Sequence, residues 1–373
     1  MAPIDGSLPT LRWGVIGTGL ISSWFTKDIT APRKSPKAKH IIQAIGSSSL
    51  EKGNAFVTEH LPSLTPQPTI YAGYEGVYND PNVDIIYIGT PHGLHKTQCL
   101  AAIAAGKHIL CEKAFALNAT EAREILSAAA EKGTFIMEAM WTRFHPLVST
   151  LHQVLHKENA IGDIRRTFCD FGLDMNLSSL PSNSRLKDPS MGAGSLLDIG
   201  IYALTWGLLT LDPDSHSGDS KEKEKPQITA TQTLKDGIDI SSSFLLHYPS
   251  TGRQGILTCT TEARTPEVFM KIEGTDGYIL IEGVAASAPR SFTVYPKIGS
   301  DSGSTGGKEE GNKYEFELEG MGFYFEADAV AVSISHGERE NPVMSHGETV
   351  RVLEILDVIR RQGGARFPQE DEA

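Results

Sequence analysis

A carboxylate and an ammonium group stand side by side where an apolar run of the sequence ends. The run HILCEK at 108–113 begins as a buried strand would and finishes in Glu112 and Lys113. At the end of a parallel strand, Lys113 could bond a ribose or substrate hydroxyl, and its charge would lower the pKa of a nearby acid such as a tyrosine. Glu112 could pair with Lys113 or bond a ribose. The structural alternative is a surface ion pair at a strand end.

A second pair of polar residues lies in the apolar segment GAGSLLDIGIYALTW at 192–206. Asp198 and Tyr202 are four residues apart, so on a helix they share one face. A tyrosine is a poor base at neutral pH, because its unperturbed pKa lies near ~10, unless a cation stabilises its phenolate. Lys113 could be that cation. An Asp/Tyr pair alone is more often structural, but together with Lys113 it favours proton transfer.

A glycine-rich turn near the start of the chain predicts a dinucleotide site. GVIGTGLIS at 14–22 follows an apolar strand pattern and opens a helical one, with the spacing Gly17-x-Gly19-x-x-Ser22. Gly17 would allow the tight turn, Gly19 a close backbone approach to a pyrophosphate, and Ser22 close packing of the helix. The helix N-terminus then supplies N–H donors. A plain glycine turn is the alternative, and the position in the first strand-to-helix turn argues against it.

The end of the second predicted strand distinguishes the two nicotinamide cofactors. NAD sites usually carry Asp or Glu there to bond the ribose 2′-hydroxyl. This chain has Ser47, Ser48 and Ser49, followed by Lys52. Hydroxyls and an ammonium suit a 2′-phosphate, so the sequence favours NADP over NAD. A serine-capped helix start is the structural reading of the same residues, and both can hold.

The motif GTPHGLH ends a third buried strand, so Thr90, Pro91, His92 and His95 are expected at the same ligand edge, with the cofactor-binding residues. Pro91 stiffens the turn and removes a donor. His92 and His95 are three residues apart and could form half of a metal site. No third ligand and no H-E-x-x-H pattern accompany them, so no metal is predicted. The favoured alternative is a histidine that packs on the cofactor or caps the next helix.

The helices and strands that must position these residues follow two different sequence patterns. Strand and helix patterns alternate over the first 140 residues, which predicts a parallel sheet with ligands at the carboxyl ends of its strands. Longer alternating segments follow and predict mostly antiparallel strands. We therefore expect an α/β protein with a dinucleotide-binding domain at 1–145 and a substrate-binding domain at 146–373. Polar stretches at 213–226 and 300–313 are interpreted as solvated loops.

Composition excludes several classes of protein. The formal net charge of -12 argues against a nucleic-acid partner, which would require a basic field. The four cysteines form neither a C-x-x-C pair nor a zinc spacing, as expected for reduced thiols in the cytoplasm. The N-terminus lacks the apolar stretch of a secretory signal, and no apolar run approaches the ~18 residues of a membrane span. We therefore expect a cytoplasmic protein without a membrane partner.

The order of these motifs resembles one family of oxidoreductases. GVIGTGLIS, GTPHGLH, CEKAFALN, MEAMWTRFHP and LLDIGIYALTW occur in the order found in the glucose–fructose oxidoreductase / inositol dehydrogenase family. The chain looks most similar to its branch of dimeric dihydrodiol dehydrogenases and fungal NADP-dependent D-xylose 1-dehydrogenases. The resemblance implies a Rossmann domain followed by an α+β domain whose open-faced antiparallel sheet forms a homodimer.

The resemblance also assigns residues. It implies that Lys113, Asp198 and Tyr202 form the catalytic group, with Tyr202 as acid/base. Trp141 and Arg143 match the branch motif near the substrate pocket, and Arg185 falls at a matching basic position. Two residues depart from the wider family, which usually has E-K-P where this chain has Ala114, and often has His where it has Tyr202.

From these observations we expect an NADP-dependent dehydrogenase that oxidises the C1 hydroxyl of an aldopyranose such as D-xylose to a lactone. The nearest alternative is a trans-dihydrodiol dehydrogenase, or a reductase of sugar-derived dicarbonyls, with the same residues. An alternative from another class is a catalytically silent NADP-binding regulator. The presence of Lys113, Asp198 and Tyr202 together argues against that regulator.

Overall fold

The computed structural model describes residues 8–212, 224–297 and 310–370 and divides the chain into two compact units. The first unit comprises Met1–Trp141 and Leu318–Leu353, and the second Thr142–Glu317 and Glu354–Ala373. The sequence predicted one boundary, after residue 145. The structure adds that 318–353 returns to the first unit. Most of the two polar stretches interpreted as loops lies outside the described residues.

The first unit is built on a six-stranded parallel sheet, which confirms the predicted α/β class. The strand order is β3-β2-β1-β4-β5-β6. Because β1, β4 and β5 are neighbours and parallel, their carboxyl ends lie at one edge. The strands are β1 (Thr10–Ile16), β2 (Lys39–Ser47), β3 (Thr69–Ala72), β4 (Ile85–Ile88), β5 (His108–Glu112) and β6 (Ile136–Ala139).

Helices connect these strands as the alternating pattern predicted. The clearest predicted helix, α5, is capped by the Asn118 side chain, which accepts from the backbone N–H of Glu121, and ends at Gly133 with φ of 72°. The sequence reading did not include β3 and α3. The helices are α1 (Leu20–Thr30), α2 (Leu50–His60), α3 (Glu75–Asn79), α4 (His95–Ala104) and α5 (Ala119–Lys132).

Two aspartates attach the returning segment to the first unit. Asp28 of α1 accepts hydrogen bonds from the backbone N–H groups of residues 321, 322 and 324, where α8 (Phe323–Ser335) begins. Asp328 of α8 pairs with Arg33 at 2.8 Å and bonds His40 at 2.9 Å. These buried contacts explain why the segment 318–353 packs against residues that lie almost 300 positions earlier in the sequence. The last helix, α9 (His346–Gly363), passes from this segment into the second unit.

The second unit is built on an eight-stranded sheet of order β14-β13-β12-β11-β7-β10-β9-β8. All neighbours are antiparallel except β7 and β10, which confirms the mostly antiparallel prediction. Its strands are β7 (Ile164–Gly172), β8 (Gln227–Lys235), β9 (Ile238–Tyr248), β10 (Arg253–Thr260), β11 (Val268–Gly274), β12 (Gly277–Ala285), β13 (Ala288–Pro296) and β14 (Asn312–Glu315). Helix α6 (Pro146–His152) precedes the sheet.

Helix α7 (Ile201–Leu211) covers one face of this sheet, and all eleven of its residues are buried. Glycine permits the close approach, because a Cβ at Gly207 would lie 2.7 Å from the Leu257 side chain. Among the described residues, Pro189–Leu211 is one helical stretch long and apolar enough to cross a membrane, but 94% of its apolar window is buried inside the protein. The core helix of a globular domain has the same properties.

Candidate active site

The glycine turn has the geometry that a dinucleotide site requires. Gly17 has φ of 89°, and a Cβ there would lie 2.8 Å from the Gly89 carbonyl oxygen. A Cβ at Gly19 would meet nothing within 4 Å, and no side chain caps the N-terminus of α1. Ser22 is fully buried and packs so closely on Gly89 that a Cβ at Gly89 would overlap its hydroxyl. The backbone is thus open to a pyrophosphate at Gly19, and Ser22 has the predicted packing position.

The serines after β2 differ in exposure. Ser47 is buried and lies 3.1 Å from the Thr18 hydroxyl. Ser49 caps α2 by accepting from the backbone N–H of Lys52, which is the structural reading offered above. Ser48 and the Lys52 side chain are exposed at the end of the strand. Ser48 and Lys52 are therefore the accessible members of the predicted phosphate-binding group.

The two histidines of GTPHGLH hold the backbone after β5. Nε2 of His92 lies 3.1 Å from the Lys113 carbonyl oxygen. His95 is fully buried, with Nδ1 at 3.0 Å from the Ala114 carbonyl oxygen and Nε2 at 2.8 Å from that of Thr90. Both ring nitrogens of His95 lie next to backbone carbonyls, so this residue contacts the Lys113 loop, and its contact with a cofactor stays a prediction.

The rest of that motif is also closely packed. The Thr90 hydroxyl donates to Oε1 of Gln98 at 2.5 Å, and Pro91 precedes a short 3₁₀ turn at His92–Leu94. Burial lowers the pKa of His95 to about 4, with the neighbouring His92 acting in the same direction. At neutral pH its ring is therefore uncharged. Among the described residues, no group of three or more His, Cys, Asp or Glu side chains could hold a metal ion.

Glu112 has a buried partner that the sequence did not indicate. Its Oε1 accepts from the Tyr87 hydroxyl at 2.6 Å, and its Oε2 accepts from the backbone N–H of Lys113 at 3.2 Å. Burial raises the pKa of Glu112, and the Lys113 charge and the Tyr87 bond oppose that shift. Glu326 of α8 is also fully buried nearby, where burial and then the charge of Glu112 raise its pKa well above the usual range.

Lys113 itself is half-buried at the end of β5. The peptide bond from Lys113 to Ala114, the residue that replaces the family's proline, is cis. The next residue, Phe115, donates its backbone N–H to Oε1 of Glu138 on β6 at 3.1 Å. Lys113 therefore belongs to a short loop whose backbone is bonded by side chains from both neighbouring strand ends.

In the second unit, the structure brings Arg185, Asp198 and Tyr202 into one region. Residues Leu196–Gly200 form a single π-helical turn that continues into α7, as often occurs at functional sites. Nη1 of Arg185 lies 3.6 Å from Oδ1 of Asp198. The Tyr202 ring is buried and contacts Phe171 edge-on, with 5.5 Å between ring centroids. Asp198 and Tyr202 stand on consecutive turns of the same helical run, as their spacing predicted.

Two predicted substrate residues are almost inaccessible. The Trp141 side chain is 4% exposed and stacks on Phe323 in the first unit at 4.4 Å. Arg143 is 1% exposed in the second unit. The contact of both residues with a substrate stays a prediction. Sequence reasoning missed the buried partners Tyr87, Glu138 and Glu326, because single polar residues inside apolar segments carry no local signal.

The comparisons with known proteins agree with this division. Residues 11–140 match a family described as an oxidoreductase family with an NAD-binding Rossmann fold, and residues 149–280 match a GFO/IDH/MocA C-terminal domain. The chain is 34% identical to trans-1,2-dihydrobenzene-1,2-diol dehydrogenase of Sus scrofa, over 96% of this chain and 99% of that protein. It is 30% identical to D-xylose 1-dehydrogenase (NADP(+)) of Hypocrea jecorina, over 98% of this chain and 95% of that protein.

The fold also matches a solved structure. A 3-ketoreductase from Actinomadura kijaniata, in complex with NADP and TDP-benzene, superposes with a TM-score of 0.77 at 20% identity. The match covers 95% of this chain and 98% of that one. At this identity the match establishes the two-domain fold.

The buried His95 predicts acid sensitivity. Its pKa of about 4 in the folded protein lies below the ~6.5 of an unfolded histidine, so the unfolded chain binds the proton first as the pH falls. The free energy of unfolding should therefore decrease between about pH 6.5 and pH 4. His95→Gln should destabilise the protein at pH 7 by about 1–3 kcal/mol, and by about 2 kcal/mol less at pH 5. Urea unfolding at both pH values measures this difference.

A matched control for that experiment is Gln98→Leu, which removes a buried polar partner from the same turn without removing a titratable group. Its destabilisation should be equal at the two pH values. If His95→Gln also destabilised the protein equally at pH 7 and pH 5, the assignment of an uncharged, buried imidazole would be wrong.

Proposed function

This chain belongs to the GFO/IDH/MocA family of oxidoreductases, and on that premise we propose that it is an NADP-dependent dehydrogenase that oxidises the C1 hydroxyl of an aldopyranose such as D-xylose to a lactone. It is a dehydrogenase of CH–OH donors, as its relatives are. The observation that carries the proposal is the placement of Lys113. It directly follows β5 at the sheet edge that also carries the glycine turn after β1, and its loop is contacted by His92 and His95.

The proposed chemistry separates hydride and proton transfer. NADP, when bound, accepts the hydride from the carbon that carries the hydroxyl. Tyr202 takes the hydroxyl proton at its phenolate oxygen, and the Lys113 ammonium stabilises that phenolate. Asp198 and its partner Arg185 orient the sugar hydroxyls. Proton transfer by such a group contributes about 10²–10⁴-fold, and positioning contributes much of the remainder.

A second candidate activity uses the same residues. The chain is 34% identical to a protein named for the oxidation of a trans-dihydrodiol, so a diol is the alternative substrate. Reduction of a sugar-derived dicarbonyl is the reverse type of reaction. A panel of D-xylose, other aldopyranoses and trans-dihydrodiols, followed by NADPH absorbance, distinguishes these activities. Failure of the entire panel with both nicotinamide cofactors would favour the silent regulator.

The proposed preference for NADP rests on the end of β2. Exposed Ser48 and Lys52 stand where an NAD-selective site usually has a carboxylate. A hydroxyl and an ammonium can bond a 2′-phosphate, and a carboxylate would repel it. The D-xylose dehydrogenase relative is named for NADP(+), which supports this preference.

We also propose a cytoplasmic location, since Cys99, Cys111, Cys169 and Cys259 are free and buried.

The proposed homodimer uses the outer face of the second unit's sheet. Leu257 of β10 packs under α7, so its neighbour Ile256 points to the opposite face. Across that face, the strand registers place Leu245, Ile256 and Phe168 in one row, and Leu280 lies beyond Lys271 in the same row. These apolar side chains are half-buried in a single copy. A second copy of this chain would cover them.

Substitutions of Tyr202 and Lys113 test the acid/base assignment. Tyr202→Phe should lower the oxidation rate by at least about 10²-fold and abolish the basic limb of its pH profile. NADPH binding should remain within about twofold, because the phenol does not hold the cofactor. Lys113→Met retains most of the stem and removes the charge, so the basic limb should move upward. Near-native turnover of Tyr202→Phe at saturating substrate would contradict the assignment.

Cofactor choice can be changed at one exposed position. Ser48→Asp should shift the preference toward NAD, because the carboxylate repels a 2′-phosphate and can bond a 2′-hydroxyl. Titrations of native protein and variant with NADPH and NADH measure both affinities. Ser48→Asn is the matched control and should leave the preference for NADP largely unchanged. If the native protein bound NADH as tightly as NADPH, or more tightly, the proposed preference for NADP would be wrong.

Sedimentation at micromolar concentration tests the dimer. We expect a species of about twice the 40.4 kDa chain mass. Ile256→Glu places a charge at the centre of the outer face and should yield the monomer. Leu50→Glu, which places the same charge at an exposed apolar position on helix α2 of the first unit, is the control and should leave the dimer intact. A native protein that sediments as a 40.4 kDa monomer would contradict the proposal.

A further inference from the structure

The helical run that carries Asp198 and Tyr202 begins against a buried carboxylate. Asp239, near the start of β9, is 3% exposed. Its Oδ2 accepts hydrogen bonds from the backbone N–H of Leu196 at 2.7 Å, from the Ser195 hydroxyl at 2.7 Å and from the Ser242 hydroxyl at 3.1 Å. Two of these three donors belong to the first residues of the run.

This position is electrostatically favourable for a carboxylate. The N–H groups at a helix N-terminus carry partial positive charge, and a nearby carboxylate stabilises them. Burial raises the pKa of Asp239, but the bonds from Ser195, Leu196 and Ser242 oppose that shift by stabilising the charged form. The carboxylate and the start of the helical run therefore stabilise each other.

Close packing restricts the start of the helical run to one position. Gly194 has φ of 141°, and a Cβ there would overlap Oδ1 of Asp239. The Cys259 thiol lies 3.5 Å from the Ser195 hydroxyl, and a Cβ at Gly200 would lie 2.7 Å from Cys259 Sγ. The π-helical turn from Leu196 to Gly200 is thus held by β9 at its beginning and by β10 along its length.

We propose that Asp239 is a positioning residue for proton transfer, whose carboxylate fixes the start of the helical run and thereby the positions of Asp198 and Tyr202. The inference rests on the proposed function of those two residues. They follow the anchored Leu196 by two and six positions in one continuous run, so a shift of its start displaces both. A misplacement of about 1 Å can lower a rate by about 10²-fold.

The pH profile distinguishes positioning from two other roles. If Asp239 acted only through its charge, Asp239→Asn would lower the pKa of Tyr202, because a negative charge that opposes the phenolate is removed. If Asp239 fixes the position of Tyr202 that stabilisation by Lys113 requires under the proposed function, the same variant should move the basic limb upward. A purely structural role would lower stability and leave the limb in place.

We expect Asp239→Asn to lower kcat by about 10–100-fold and to move the basic limb upward, with NADPH affinity within about twofold of native. Asp28→Asn is the matched control. Asp28 is a buried carboxylate that accepts three backbone N–H groups at the start of α8, within the first unit. It should lower stability and leave the basic limb of the profile in place.

Hydrogen exchange tests the positioning role independently of activity. In Asp239→Asn, the amides of residues 196–202 should exchange at least about tenfold faster than in the native protein. Asp28→Asn should leave these amides unchanged. The proposal is overturned if the basic limb of the pH profile of Asp239→Asn moves downward or stays in place. It is also overturned if the amides of residues 196–202 in this variant exchange at the native rate. If the native protein shows no turnover or no basic limb, the proposed function fails, and the exchange result alone decides whether Asp239 holds this helix.

Discussion

The candidate site depends on hydrogen bonds to the backbone that follows β5. The carbonyl groups of Lys113 and Ala114 lie within hydrogen-bond distance of ring nitrogens of His92 and His95, and the N–H of Phe115 donates to Glu138. Buried backbone groups require partners, so these bonds give the loop a defined course. The lysine is thereby held at the edge where the strands of the parallel sheet end, the same edge that carries the glycine turn after β1. Removal of these bonds would leave the charge of Lys113 without a fixed position.

The second unit fixes its functional side chains by the same physical means. Asp198 and Tyr202 lie on a helical run whose first N–H group is bonded by Asp239, and whose body is buried against the sheet. In both units, buried polar side chains hold the backbone, and the groups proposed for chemistry project from the segments held. Such buried bonds carry a large penalty when one partner is removed, which makes the arrangement rigid. Rigid placement is what proton transfer requires.

Local signals in the sequence predicted much of the fold. The glycine turn, the capped helix α5 and the alternation of strands in the first unit follow from periodicity and capping chemistry. The return of 318–353 was not predictable, because it depends on Asp28 and Asp328 bonding partners nearly 300 residues away. The backbone contacts of His95 were not predictable for the same reason. Its carbonyl partners at Ala114 and Phe115 are about 20 residues further along the chain, and no pattern in the sequence links them.

We propose that this chain transfers a hydride from a carbon that carries a hydroxyl to the nicotinamide of NADP. The most direct measurement uses D-xylose deuterated at C1, incubated with the protein and NADP, followed by mass spectrometry of the reduced cofactor and the sugar product. We expect a reduced cofactor one mass unit heavier than NADPH, formed in equal amount with the lactone. Reduced cofactor without the label would contradict transfer from C1. The absence of any reduced cofactor, with D-xylose and with a trans-dihydrodiol alike, would contradict the assignment as a dehydrogenase of sugars or diols.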